Sequence, residues 1–129
     1  MTDRRKELEE LSKAFVDCFN RQDVDAIAAF FAEDGVYEDS GGGTHHGPAA
    51  IREAFVPLVC GGRGKIRFED EDFFAEPESD KVMASWTLHM EVEGKPVKLR
   101  GLDIFQFRGD KLIRKLAYCK AAKPQIVEA

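Results

Sequence analysis

The sequence predicts one α+β domain, with helices gathered on one face of a curved antiparallel sheet. Three observations support this. Apolar residues recur at helical spacing in the first half of the chain. The second half alternates apolar and polar residues over four strand-length runs, and turn residues separate those runs. The 129 residues suit a single domain over 1–129 with one core, and no internal repeat or low-complexity linker divides it.

Leu8, Leu11, Phe15 and Phe19 form the apolar face of a first helix, which Asn20-Arg21-Gln22 breaks. Asp23 can cap a second, short helix whose apolar face is Val24, Ile27, Ala28 and Phe31, with Gly35 beyond its end. Val36 to Asp39 reads as a short strand and Ser40 to Thr44 as a flexible loop. Gly47-Pro48 starts a third helix, where the missing proline N–H costs nothing. Ile51, Phe55, Leu58 and Val59 line one side of it, and Pro57 is expected to kink or shorten its last turn. Four strands follow: Lys65–Ala75, Lys81–Val92, Pro96–Arg108 and Lys111–Lys120. Glu93-Gly94-Lys95 and Gly109-Asp110 are hairpin signals between them.

Hydrophobic residues make up 43% and charged residues 33%, an ordinary composition for a soluble globular protein. The net charge of −5 argues against a nucleic-acid partner. No apolar run approaches the roughly 20 residues of a membrane span. Arg4-Arg5-Lys6-Glu7 leads straight into a charged amphipathic helix with no apolar signal region, so the expected location is cytoplasmic. Cys18, Cys60 and Cys119 are odd in number and far apart, which reads as reduced, mostly buried thiols. Gly41-Gly42-Gly43 lacks the spacing of a nucleotide-binding loop, and no cofactor is expected. His45 and His46 are adjacent, point apart and have no third ligand at fixed spacing, so no metal site is expected.

Asp103 is the most informative residue. On a regular strand it shares a face with Val97, Leu99, Gly101, Phe105 and Phe107. A carboxylate on that apolar face must find a partner, meet a water-filled cavity or keep its proton. Desolvation is expected to raise its pKa, and Asp103→Asn is then expected to be neutral or stabilising at alkaline pH.

Three stretches resemble the nuclear transport factor 2-like superfamily, in its SnoaL-like and ketosteroid isomerase-like branch. They are Asn20-Arg21-Gln22-Asp23-Val24-Asp25-Ala26-Ile27, Tyr37-Glu38-Asp39-Ser40 with Gly47-Pro48-Ala49-Ala50-Ile51-Arg52-Glu53, and Gly101-Leu102-Asp103-Ile104-Phe105-Gln106-Phe107. The resemblance implies a cone-shaped sheet and three N-terminal helices enclosing a pocket. It also implies catalytic roles for Asp39, as the base that moves a proton, and Asp103, as a protonated acid in an oxyanion hole. The isomerase's main tyrosine donor falls on Phe15, and two supporting tyrosines fall on Phe31 and Phe55. A phenyl ring donates no hydrogen bond, and losing one oxyanion donor costs about 10²–10³ in rate.

Other residues carry two readings each. Asp39 is either a pocket base or a loop aspartate bonded to nearby backbone. His46 either lines the pocket mouth or is solvated. His89 serves acid–base chemistry only if its face of the Lys81–Val92 strand holds the cavity. Tyr118 shares parity with Leu112 and Leu116, so its ring is expected to be buried, where its hydroxyl can replace the missing donor. Phe15, Phe31, Phe55, His46, His89 and Tyr118 are therefore the candidate substrate-binding residues.

Three functions compete: a cofactor-independent isomerase or lyase moving a proton next to a carbonyl of an apolar substrate, a binding protein for a hydrophobic metabolite, and a dimerisation module. Arg100 has parity opposite to Asp103, which disfavours epoxide hydrolysis. Leu102 and Ile104 beside Lys98, Arg100 and Gln106 form a mixed outer face that suits a homodimer.

Overall fold

The helices form where the apolar spacing and the caps coincide. The fold is seen in a computed structural model that describes residues 3–121, 123 and 126–129, with residue 71 described in its backbone alone. α1 spans Arg4–Asn20, with the Asp3 side chain accepting from the Lys6 N–H at its start, and it buries Leu8, Ser12, Phe15, Cys18 and Phe19. α2 is Val24–Ala29, capped by Asp23 accepting from the Ala26 N–H. α3 runs Gly47–Cys60 and carries Pro57 inside it. The helix continues beyond the proline to Cys60, so Pro57 does not end it.

The strands are β1 Phe31–Glu38, β2 Thr44–His46, β3 Arg67–Glu76, β4 Lys81–Val92, β5 Lys95–Arg108 and β6 Lys111–Lys120. They form one curved, open sheet in the order β2-β1-β6-β5-β4-β3. β3 to β6 are a meander of antiparallel hairpins, with the β4–β5 and β5–β6 turns where the sequence signals them. Two expectations change. Phe31 does not extend the second helix; it opens β1 opposite Leu112, because a strand partner satisfies the backbone that a fraying helix end would expose. Thr44–His46 is not loop but a short strand folded back on β1.

One pair, β1 with β6, is parallel, so the sheet is mixed. The chain enters the sheet at β1, crosses by α3, and returns through the meander to lie beside its own start. The helices cover one face and the core lies between: Phe15 of α1 meets Phe19, Phe30, Phe31 and Phe105 edge to face, with centroids 5.3–5.8 Å apart.

A single irregularity decides what faces that core. Phe107 pairs with Leu112, but Gln106 pairs with Arg114, which leaves Ile113 as an extra residue in β6. This bulge reverses the parity of the rest of the strand. Leu112 is inward before it, and Lys115, Ala117 and Cys119 are inward after it.

Candidate active site

The inward faces of β4, β5 and β6 and the apolar sides of α1 and α3 do not close completely. They leave a cavity of about 320 Å3. Phe15, Phe19, Phe55, Phe68, Trp86, Leu88 and Leu99 supply its apolar wall. The exposed residues Ser40, Pro57, Arg63 and Asp70 mark where it meets solvent. Its walls are predominantly apolar with a minority of polar groups, the usual build of a small-molecule site.

Asp103 lies in this cavity, 5% exposed. It faces Lys115, whose Nζ donates to Asp103 Oδ1 at 3.2 Å, and both side chains are under a tenth exposed. Lys115 stands opposite Tyr37 in the parallel β1–β6 pair, and its Nζ lies 4.6 Å from the Tyr37 ring centroid and 5.3 Å from that of Phe55. Burial pushes the Asp103 carboxyl up from its ordinary value, while the Lys115 charge and hydrogen bond pull it down by less. The Trp86 indole N–H is buried and makes no hydrogen bond. It lies near enough to Asp103 to favour the carboxylate.

Trp86 reaches this position because its β5 partner is Gly101. A Cβ at Gly101 would collide with the Trp86 ring and the Tyr118 carbonyl oxygen. The glycine therefore lets the indole lie flat across β5.

Tyr37 is the second buried donor. Its ring is held between Phe55, stacked at 4.4 Å, and His45, stacked at 5.4 Å. Burial first, then the nearby Asp103 and Asp39, push its hydroxyl pKa well above the ordinary value, so it keeps its proton.

Asp39 belongs to a different structure. It ends the β1–β2 hairpin outside the residues lining the cavity. Its Oδ1 accepts from the Gly41 and Gly43 N–H groups at 2.9 and 2.8 Å, and Oδ2 lies 2.8 Å from His45 Nε2. Burial raises its pKa, but the bonds from His45, Gly43 and Gly41 outweigh that and leave it below the ordinary value.

The other candidates scatter. Phe15 and Phe55 line the cavity. Phe31 is buried behind Phe15 and borders a separate surface depression with Ala28 and Pro48. His46 is exposed on β2, on the strand face opposite His45. His89 lies on the outer face of β4, opposite Lys98, with Glu69 at 3.8 Å. Tyr118 is not buried: the Ile113 bulge turns it outward, opposite Leu102, and it is 52% exposed.

Lys115, Tyr37 and Trp86 were not among the sequence candidates. Tyr37 carried a signal, since it alternates against Val36 and Glu38 and so takes the buried face. Lys115 carried a fainter one, sharing parity with Ala117 and Cys119, but its position opposite Phe105 exists only because of the bulge. Among the described residues no cluster of His, Cys, Asp and Glu could hold a metal ion. No described helix is long and apolar enough to cross a membrane.

A family model described as a SnoaL-like domain matches residues 12–115. No curated protein matches the sequence. Among solved structures, a putative polyketide cyclase from Xanthomonas campestris pv. campestris is similar at 25% identity and a TM-score of 0.75, over 90% of this chain and 92% of that one. SalBIII, an epoxide hydrolase/cyclase-like enzyme with a role in pyran ring formation in the polyether salinomycin, is similar at 22% identity and TM-score 0.78, over 89% and 92%. A protein with a ketosteroid isomerase-like fold from Catenulispora acidiphila, solved with trimethylamine, is similar at 18% identity and TM-score 0.73, over 84% of each chain. The last two likenesses concern the fold alone.

Proposed function

The chain belongs to the SnoaL-like domain family and is a small-molecule pocket protein, and from that premise we propose that it is a cofactor-independent isomerase or lyase that moves a proton next to a carbonyl of an apolar substrate. One observation carries the proposal: a carboxyl–ammonium pair, each partner over nine-tenths buried, lines an otherwise apolar cavity beside a buried indole N–H with no partner. Burial that raises the Asp103 pKa moves it toward the range where a carboxylate is an effective base. Asp103 takes the proton, the part that resemblance assigned to Asp39. The Lys115 nitrogen supplies the positive charge that stabilises the carbanion left behind, and the Trp86 N–H and Tyr37 O–H are donors for the substrate oxygen. Asp39 acts at one remove, holding His45 against the Tyr37 ring.

The test is a screen of apolar ketones for solvent deuterium exchange at the α-carbon. Asp103→Asn is expected to lower exchange by about 10²-fold or more, within the range of a lost general base. Exchange unchanged in that variant removes Asp103 as the base. A second reading, a binding protein for a hydrophobic metabolite, is favoured by Phe15 and Phe55, which give the cavity apolar walls where the isomerase has tyrosines. A ketone that binds in the cavity with no exchange decides for it.

We also propose a homodimer through the outer face of β5 and β6, where half-buried Leu102, Ile104 and Leu116 lie beside exposed Tyr118. Sedimentation at micromolar concentration tests it, and a monomer alone rejects it. The three free cysteines support a cytoplasmic location.

A further inference from the structure

We propose that Lys115 is an amine nucleophile that captures an apolar aldehyde or ketone as a Schiff base in the cavity, with Asp103 moving the protons. The inference rests on the proton-transfer reading of the same site and names the covalent chemistry by which Lys115 brings its positive charge to the substrate.

A lysine attacks a carbonyl only as the free amine, and an apolar, water-poor setting is where lysines take up that role. Lys115 has that setting. It is 5% exposed and lines the cavity, with aromatic rings 4.6 and 5.3 Å from Nζ. Asp103 is its one ionic partner among the described residues. The 3.2 Å contact gives the ammonium proton a direct path to the Asp103 carboxylate at the moment of attack. The raised proton affinity of Asp103 favours the same transfer. Ala117 and Cys119, the inward neighbours along β6, are small and line the same cavity.

The steps balance. The amine of Lys115 adds to the carbonyl carbon, forming the C–N bond, and the carbonyl oxygen ends as a hydroxyl carrying a proton from the amine. The Asp103 acid protonates that hydroxyl, which leaves as water as the C=N bond forms. The product is an iminium beside a carboxylate. Asp103, now ionised, takes the proton from the adjacent carbon, and the electron pair flows to the Lys115 nitrogen, giving a neutral enamine. The unpartnered Trp86 N–H is the donor for the oxygen before it leaves.

The test treats the whole protein with benzaldehyde and sodium cyanoborohydride near neutral pH, followed by intact-mass analysis and peptide mapping. Lys115 is expected to carry the benzyl adduct about tenfold faster than exposed lysines such as Lys98 and Lys120. Asp103→Asn should slow labelling of Lys115 by about 10²-fold, the loss of a general acid–base group. Adducts on exposed lysines with Lys115 unmodified overturn the proposal. Lys115→Arg keeps the charge and the ion pair but cannot form an imine. Loss of ketone exchange in Lys115→Arg, with ketone binding retained, supports the proposal; full exchange in that variant overturns it and leaves the proton-transfer reading standing. Labelling of Lys115 without exchange of any bound ketone overturns only the proton-transfer reading.

Discussion

Asp39 and Asp103 are the same side chain in two settings, and their pKa values move in opposite directions. Asp39 sits at a turn, with two backbone N–H groups and His45 on its oxygens, and it is held ionised. Asp103 sits in the sheet's inner face with one cation, and burial raises its hold on a proton. The difference shows that burial and hydrogen-bond supply, not chemical identity, decide which way a carboxyl's pKa moves. A carboxylate saturated by donors is a structural anchor. One with a single partner beside open cavity space has lone pairs left to meet a ligand.

The largest effect is expected at the buried pair. Asp103→Asn strands an ammonium in the interior and should cost about 3–5 kcal/mol in urea denaturation. This replaces the expectation of a neutral or stabilising change, which held only while no cation faced the carboxyl. Lys115→Met should cost less at low pH, because Asp103 can then keep its proton. A carboxyl with a folded-state pKa above its unfolded value contributes stability in full below the unfolded value and loses it as pH rises through the folded value. The penalty of Lys115→Met should therefore grow with pH across that window. The double variant Asp103→Leu/Lys115→Met should recover most of the loss. Additive losses in the double variant would break the comparison, since they would mean that the two groups are not coupled.

Gly101→Ala comes next. Its Cβ must displace the Trp86 ring or the β6 backbone, with an expected cost of about 1–3 kcal/mol for overpacking. Tryptophan fluorescence should shift with it, because Trp86 is the only tryptophan. An unperturbed spectrum and unfolding midpoint would reject the close approach.

Asp39→Ala is expected to cost about 1 kcal/mol, since a partly exposed turn carboxylate keeps much of its hydration. Its pH dependence has the opposite sign to that of Asp103. The folded-state pKa is lowered, so the contribution is full above the ordinary value of 3.8 and fades as pH falls through the folded value. A difference between the natural protein and Asp39→Ala that widens on acidification would contradict the anchor role. The smallest effect is expected for Tyr118→Phe, within about 0.5 kcal/mol, because its hydroxyl stands in solvent.

Local pattern carried much of the fold. The helical spacing of Leu8, Phe15 and Phe19, the caps at Asp3 and Asp23 and the turns at Glu93-Gly94 and Gly109-Asp110 act over a few residues, and such signals are written in the chain itself. Asp103 was legible for the same reason: β5 is regular from Lys95 to Gln106, so its parity could be counted. Its partner could not be. One extra residue at Ile113 exchanges the two faces of β6, bringing Lys115 inward and sending Tyr118 out. Ile113 resembles any other strand residue, and a bulge exists only relative to the neighbouring strand. The parallel seating of β1 on β6, which sets Tyr37 beside Lys115, likewise joins segments far apart in the chain. The sequence by itself determined the elements, the core and one buried carboxyl, because these depend on short-range spacing and on the cost of burying charge. The tertiary structure alone decided which cation, indole and tyrosine meet that carboxyl, because register between distant strands is a property of the assembled sheet.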